Sequence, residues 1–278
     1  MNYIKLIVLT LGFSLSVLLA DRALADGDLK LYTMECGTFD VADMKDLSGT
    51  GEYDGQQINM VNPCFLVRHP KGDLLWDTGL SDSLVDKVDG EVSGVWHAKS
   101  RIKLLDQLAR LGLAPNEIEY LSLSHAHPDH SGNANSFASS TFIVNELEYK
   151  YMFSEQIKSY FGDGYSQLET AKIVTFREGH DVFGDGSVVI KSMPGHTPGS
   201  SVLLIRLQEA GNILLTGDLY VHARARKLKT MHRYNDRQVT LDSREKFEAL
   251  VKLEGARVII QHERDDFANL PQFPAFLD

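Results

Sequence analysis

The sequence predicts an α/β fold built as one domain. Short β-like runs alternate with helical stretches from residue 29 to the end, with no internal repeat and no low-complexity linker between them. Polar residues able to ligate metal recur where those runs finish, which is where α/β sheets place their chemistry. About 250 residues remain after a leader is set aside, enough for one large core.

The leader comes first. Residues 1–25 read as a secretory signal peptide, with Lys5 ahead of an apolar run over 6–20 and Ala23-Leu24-Ala25 as an A-x-A cleavage site. The apolar run is shorter than the roughly twenty residues a membrane-spanning helix needs. The mature domain, 26–278, is therefore expected to be secreted or periplasmic, with no stable membrane insertion once the leader is cleaved.

Charge narrows the partners. The whole chain carries −10, and the leader takes a net +1 with it in Lys5, Arg22 and Asp21, leaving −11. So acidic a surface repels phosphate backbones, and no nucleic acid partner is expected. Cys36 and Cys64 can form one disulfide in an oxidising compartment. Both also lie in or beside apolar runs, where buried thiols are common.

Taken in order, 29–34, 61–68 and 73–76 are expected strands, and the Gly/Asp-rich piece 46–57 a mobile surface loop. Over 101–111, Leu104, Leu105, Leu108 and Leu111 share one helical face, and Gly112 stops the helix. Residues 118–124 form a strand that delivers a histidine cluster onto the following loop, and 141–144 form another. A helical region then carries Tyr149, Tyr151, Met152, Phe153, Tyr160 and Phe161, which read as core packing or as a wall for an apolar substrate chain. Strands at 187–191, 201–207 and 212–216 follow. Asp242 with Glu245 forms a capping box for a helix whose Phe247, Leu250 and Val251 face inward. A last strand, 256–261, ends at His262.

The histidine cluster is His125-Ala126-His127-Pro128-Asp129-His130. Three imidazoles and a carboxylate in six positions suit neither core nor surface, because each ring nitrogen needs a partner and protonated rings repel. A metal ion removes both problems. Four more polar residues end apolar runs: His196 in a Pro-Gly-His-Thr-Pro-Gly turn, Asp218 after Leu214-Leu215-Thr216-Gly217, His262, and Asp77 after Leu74-Leu75-Trp76.

This order of residues resembles the binuclear hydrolase pattern of the metallo-β-lactamase superfamily, over nearly all of the mature chain. The resemblance implies a four-layer αβ/βα sandwich with two metals at one end of its central sheets. It implies that His125, His127 and His196 hold one ion, that Asp129, His130 and His262 hold the other, and that Asp218 bridges them. Independently, three neutral imidazoles make an open zinc site, and added carboxylates favour a second divalent ion. Zinc is the expected metal, though such mixed sites also accept Mn, Fe or Co. Asp77 reads either as acceptor for a ligand imidazole or as a plain turn carboxylate.

Two such ions roughly 3.5–4 Å apart bring the pKa of a coordinated water from 15.7 toward about 7, so the reaction class is hydrolysis, with Asp129 as proton carrier. An Asp at 218, where β-lactamases of this superfamily carry Cys or Ser, argues against antibiotic hydrolysis as the main task. Runs 63–70, 75–79 and 124–133 resemble N-acyl homoserine lactone lactonases, which implies a small-molecule lactone or ester as substrate. Those lactonases place a Tyr three positions after the bridging Asp; here that position is Val221. Either Tyr220 or His222 takes over its role at the carbonyl oxygen, or the substrate differs and Tyr220 merely packs. Arg224, Arg226, Lys227, Lys229 and Arg233 follow as a solvated basic loop or as a guide for an anionic substrate. His69, His97, His180 and His232 read as structural. The alternatives are a broad esterase or weak β-lactamase of the same fold, or a non-catalytic zinc-binding periplasmic protein.

Overall fold

The computed structural model describes residues 29–278, so the expected signal peptide lies outside the described residues. Strands β1 (Lys30–Val41), β2 (Ile58–His69), β3 (Gly72–Trp76), β4 (Glu91–Ser93), β5 (Trp96–Lys99), β6 (Tyr120–Ser122), β7 (Thr141–Asn145) and β8 (Lys172–Phe176) share one sheet in the order β4-β5-β1-β2-β3-β6-β7-β8. Strands β9 (Gly179–Asp181), β10 (Val188–Ser192), β11 (Ser201–Arg206), β12 (Asn212–Leu215) and β13 (Arg257–Ile259) form a second sheet, and β14 (Phe276–Leu277) returns to pair with β1.

Side-chain alternation decides how these sheets stack. On β2, Phe65 and Val67 point into a core shared with Leu203 and Ile205 of β11 and Ile213 and Leu215 of β12. Their sequence neighbours Cys64 and Leu66 point the other way, toward Leu104 and Leu108 of helix α1 (Leu104–Arg110). Likewise Val202 and Leu204 of β11 turn outward onto Phe247. A strand buried on both faces needs a layer on each side. Helices therefore cover the outer face of both sheets, giving the four-layer sandwich that the superfamily resemblance implies.

The remaining helices are short except one: α2 (Pro128–Ser131), α3 (Glu146–Met152), α4 (Glu155–Phe161), α5 (Ala223–Leu228), α6 (Arg237–Glu254) and α7 (Arg264–Ala268). Helix α6 corrects the capping-box reading. It starts at Arg237, with the Asp236 side chain accepting from Val239 N, while Asp242 lies inside it and accepts from Gln238. The loop at 46–57 is also anchored where mobility was expected. Tyr53 is fully buried, and its hydroxyl shares a 2.6 Å hydrogen bond with Thr230 Oγ1. The structure joins Cys36 and Cys64 in a disulfide.

Strand direction brings the polar strand ends together. β3 and β6 run parallel with Leu75 opposite Leu121, so Asp77 and the His125 segment leave the first sheet at the same edge. β12 and β13 are parallel with Leu215 opposite Ile259, so Asp218 and His262 leave the second sheet together. β10 and β11 are antiparallel with Ser192 opposite Ser201, which puts His196 in the turn between them. Ser201 N donates to Ser124 O at 2.9 Å, stitching the two edges side by side.

Candidate metal centre

Seven side chains from four chain segments converge at that edge. His125, His127 and His196 form one trio; Asp129, His130 and His262 form another; within each, the potential ligand atoms lie within 4.8 Å of one another. Asp218 stands between the trios. Its Oδ2 is 3.3 Å from His196 Nε2 and 3.9 Å from His125 Nε2. Its Oδ1 is 3.0 Å from His262 Nε2 and 3.3 Å from His130 Nε2. In the first trio, His127 Nδ1 lies 2.9 Å from His125 Nε2 and 3.0 Å from His196 Nε2. In the second, Asp129 Oδ2 lies 3.5 Å from His130 Nε2 and 3.6 Å from His262 Nε2.

Hydrogen bonds on the far side of the rings fix which nitrogen faces inward. His262 Nδ1 donates to Val61 O at 2.9 Å, since a carbonyl can only accept. His196 Nδ1 donates to Asn235 Oδ1 at 3.1 Å, and His130 Nδ1 to Asp77 Oδ2 at 2.9 Å. In the neutral ring each Nε2 is thereby left with its lone pair toward the cluster, the tautomer a metal requires. His130 Nε2 and Asp218 Oδ1 are buried without a hydrogen-bond partner. Orphaned acceptors at the convergence point of three rings are what a cation site leaves when its ion is set aside.

Electrostatics agree. Burial and the imidazoles around it push His125 well below the usual histidine range, and burial with His196 does the same to His127. Both rings are therefore neutral. Burial alone would protonate Asp218, but His262, His130 and His196 pull it well below the usual carboxylate range. Burial likewise disfavours charge on His130, yet Asp129, Asp77 and Asp218 lift it well above normal. Such strain is relieved when a divalent ion replaces the proton among the carboxylates.

Several residues that hold this arrangement carry no motif. Asp77, at positive φ on the end of β3, accepts from Ser124 N at 2.6 Å as well as from His130, so of its two sequence readings the acceptor role is the one formed. Gln261 Nε2 also donates to Asp77 Oδ2, at 2.9 Å, while its Oε1 receives Trp76 Nε1 and Gly217 N. The His196 turn rests on α6: Asp236 N donates to Gly195 O, and Ser243 Oγ to Pro194 O. A Cβ on Gly195 would sit 2.3 Å from Thr240 Oγ1, so only glycine permits this approach. The sequence signal that could have found Asn235 is its place one residue before the true cap of α6.

The structure does not bring Tyr220 to the cluster. Its hydroxyl donates to Glu248 Oε1 at 2.9 Å, and its ring packs on Phe247 beneath the Arg244 guanidinium. His222 is buried as well, with Nδ1 accepting from Ala225 N at 3.3 Å at the start of α5. That fixes the proton on Nε2, which has no partner. Burial, with Arg224, Arg244 and His262 nearby, lowers its pKa to about 4.

The three arginines of the basic stretch are tied down, while Lys227 and Lys229 are exposed. Arg226 pairs with Glu248, Arg233 with Asp46, and Arg224 lies over the Tyr53 ring and bonds Gln56. Of the aromatic set, Tyr149, Tyr151, Met152 and Phe153 pack into the core under the first sheet. Phe161 alone of that set stacks against the site, edge-on to His127 with centroids 5.6 Å apart. The His232 ring lies 6.1 Å from that of His196, so one histidine read as structural stands beside the cluster.

The family model for the metallo-beta-lactamase superfamily matches residues 60–262, which is most of the chain. The chain belongs to the metallo-β-lactamase superfamily. Within it, the N-acyl homoserine lactonase AttM of Rhizobium radiobacter is 29% identical over 265 residues, covering 90% of this chain and 98% of that protein. An N-acyl homoserine lactonase of Bacillus thuringiensis is 25% identical over 235 residues, covering 80% and 89%. Among solved structures, an N-acyl homoserine lactone hydrolase with N-hexanoyl-L-homoserine bound at its metal centre superposes with a TM-score of 0.78 at 24% identity, covering 89% of this chain and 98% of that one. The dizinc lactonase AidC superposes at 0.65 with 19% identity, covering 90% of each chain. At these identities the two structures speak for the metallo-β-lactamase fold alone.

Proposed function

We propose that this metallo-β-lactamase-fold protein is a binuclear metal hydrolase that opens lactone rings, N-acyl homoserine lactones first among them. The observation that carries the reading is Asp218, whose two oxygens face different histidine pairs as a bridging carboxylate does. The lactonase relatives, matched over 90% of this chain, support the substrate class.

His125, His127 and His196 would hold one ion and Asp129, His130 and His262 the other, with Asp218 shared between them. Bound there, divalent ions supply Lewis acidity and an acidified water at neutral pH. The chain supplies the rest. Water adds across the ester carbonyl and the ring C–O bond breaks, leaving an acid and an alcohol on one product. Asp129 is the most exposed of the seven ligands' carboxylates, 20% against 9% for Asp218, and is placed to pass a proton to the departing alkoxide. Of the two candidates for the missing tyrosine's role, His222 keeps an unpartnered Nε2–H, buried in this structure, that would be the donor to the carbonyl oxygen. Phe161 offers an apolar surface to an acyl chain.

The test is hydrolysis of a lactone panel by pH-stat before and after chelation. Chelator-sensitive turnover of N-acyl homoserine lactones, restored by zinc, is expected; no turnover of any lactone would overturn the reading. Export through residues 1–25 belongs to the same proposal, supported by a disulfide suited to an oxidising compartment. Amino-terminal sequencing of protein from the periplasmic fraction should begin at Asp26.

A further inference from the structure

Glu148 is a carboxylate with no place in the mechanism above, yet it is 1% exposed and fully hydrogen-bonded. It sits in the first turns of α3, outside both trios. Its Oε1 accepts from Ala126 N at 2.8 Å, the peptide between His125 and His127. Its Oε2 accepts from Thr197 Oγ1 at 2.7 Å and Gly199 N at 2.9 Å, on the turn that carries His196. One side chain therefore spans the two segments that supply the first trio.

The surroundings are shaped for that span. A Cβ on Gly199 would lie 2.2 Å from Glu148 N and 2.8 Å from Asn145 Oδ1, so the turn can rest on α3 only as glycine. Asn145, which caps α3 by accepting from Leu147 N, also donates to Ser192 Oγ where β10 ends and the His196 turn begins. Burial pushes the Glu148 carboxyl up to about 7, and the three donors around it, Thr197 Oγ1, Gly199 N and Ala126 N, pull the other way toward the anion. An uncompensated buried charge would be costly, and these three bonds are its compensation.

We infer that Glu148 is the positioning residue of the three-histidine site, a clasp that sets the distance between the His125/His127 segment and His196 without touching the ion. The inference rests on the reading that those imidazoles hold a metal. Glu148→Gln keeps the shape but turns an NH2 toward one set of donors. Release of either segment would loosen the first trio and leave His130 and His262, which are held by Asp77 and Val61, in place, with the Asp129 backbone held by Asn62.

The experiment is cobalt titration followed by visible absorption, with zinc content after dialysis against buffered free zinc, on the full mature chain. His196→Ala and His262→Ala give the spectra of each site alone. Glu148→Gln should weaken the three-histidine site by about 10- to 100-fold and leave the other within about threefold. Thr197→Val, which removes one donor and spares the charge, should weaken the same site less, and it decides the matter if Glu148→Gln does not fold. Unchanged affinity at both sites, or equal loss at both, would overturn the clasp while leaving the proposed function intact. A wild-type chain that takes up no metal would overturn both.

Discussion

The Nδ1 of His130 donates to Oδ2 of Asp77 at 2.9 Å, with both side chains 1% exposed. This pair spans the first sheet from the end of β3 to α2, and Asp77 is held in turn by Ser124 N and Gln261. Asp77→Asn should weaken ion binding at the Asp129, His130 and His262 site by about 10- to 100-fold, because an amide cannot accept from all of these donors. Competition with a chromogenic chelator measures it; unchanged affinity would mean that His130 is oriented by its own packing.

Tyr220 and His222 separate by kinetics. Tyr220→Phe should leave kcat/KM for a lactone within about threefold and cost about 1 kcal/mol in urea unfolding, since the hydroxyl serves Glu248. His222→Gln should lower kcat by about 10- to 100-fold if its Nε2–H meets the carbonyl oxygen. Equal kinetic losses in the two variants would remove His222 from the mechanism.

His222 also sets a pH dependence. Its pKa falls from 6.5 to about 4 on folding, chiefly through burial. A depressed folded pKa means that the unfolded chain binds the proton first as pH falls. The contribution is therefore complete above about pH 6.5 and is lost between there and pH 4, on the order of 2 kcal/mol. Urea midpoints of wild type and His222→Gln, compared at pH 7.5 and pH 4.5, should converge or cross at the acid end by that amount. Parallel curves would show that the ring titrates alike in the folded and unfolded chains, with no shift on folding.

The sheet-to-sheet core should be the most sensitive to truncation. Leu203 is fully buried between the sheets. Leu203→Ala should cost about 2–5 kcal/mol through lost burial and a residual cavity. Denaturant unfolding reads it, and a loss under about 1 kcal/mol would mean that the sheets close over the gap.

Much of this was legible because it is local. Runs such as 61–68 and 201–207 are apolar on both faces, so they announced strands sandwiched by other layers, and the His125 to His130 spacing announced a site. What escaped detection was non-local or polar. β4 is exposed at all three residues and β5 half-buried throughout, so neither shows an apolar alternation. The start of α6 buries Thr240, Ser243 and Arg244, which hold the His196 turn and Leu219, and a helix that buries polar groups shows no apolar stripe. Glu148, Asn235 and Gln261 each bond partners far away in sequence, and no window of neighbouring residues records that.

The placement of Phe161 and His232 on segments separate from the strand ends has an evolutionary consequence. On the proposed function, the residues that would grip the ions and those that would meet the incoming ester are coded in different stretches of the gene. Redrawing the stretches around α4 and between α5 and α6 can therefore change which ring is admitted while the chemistry underneath is inherited unaltered.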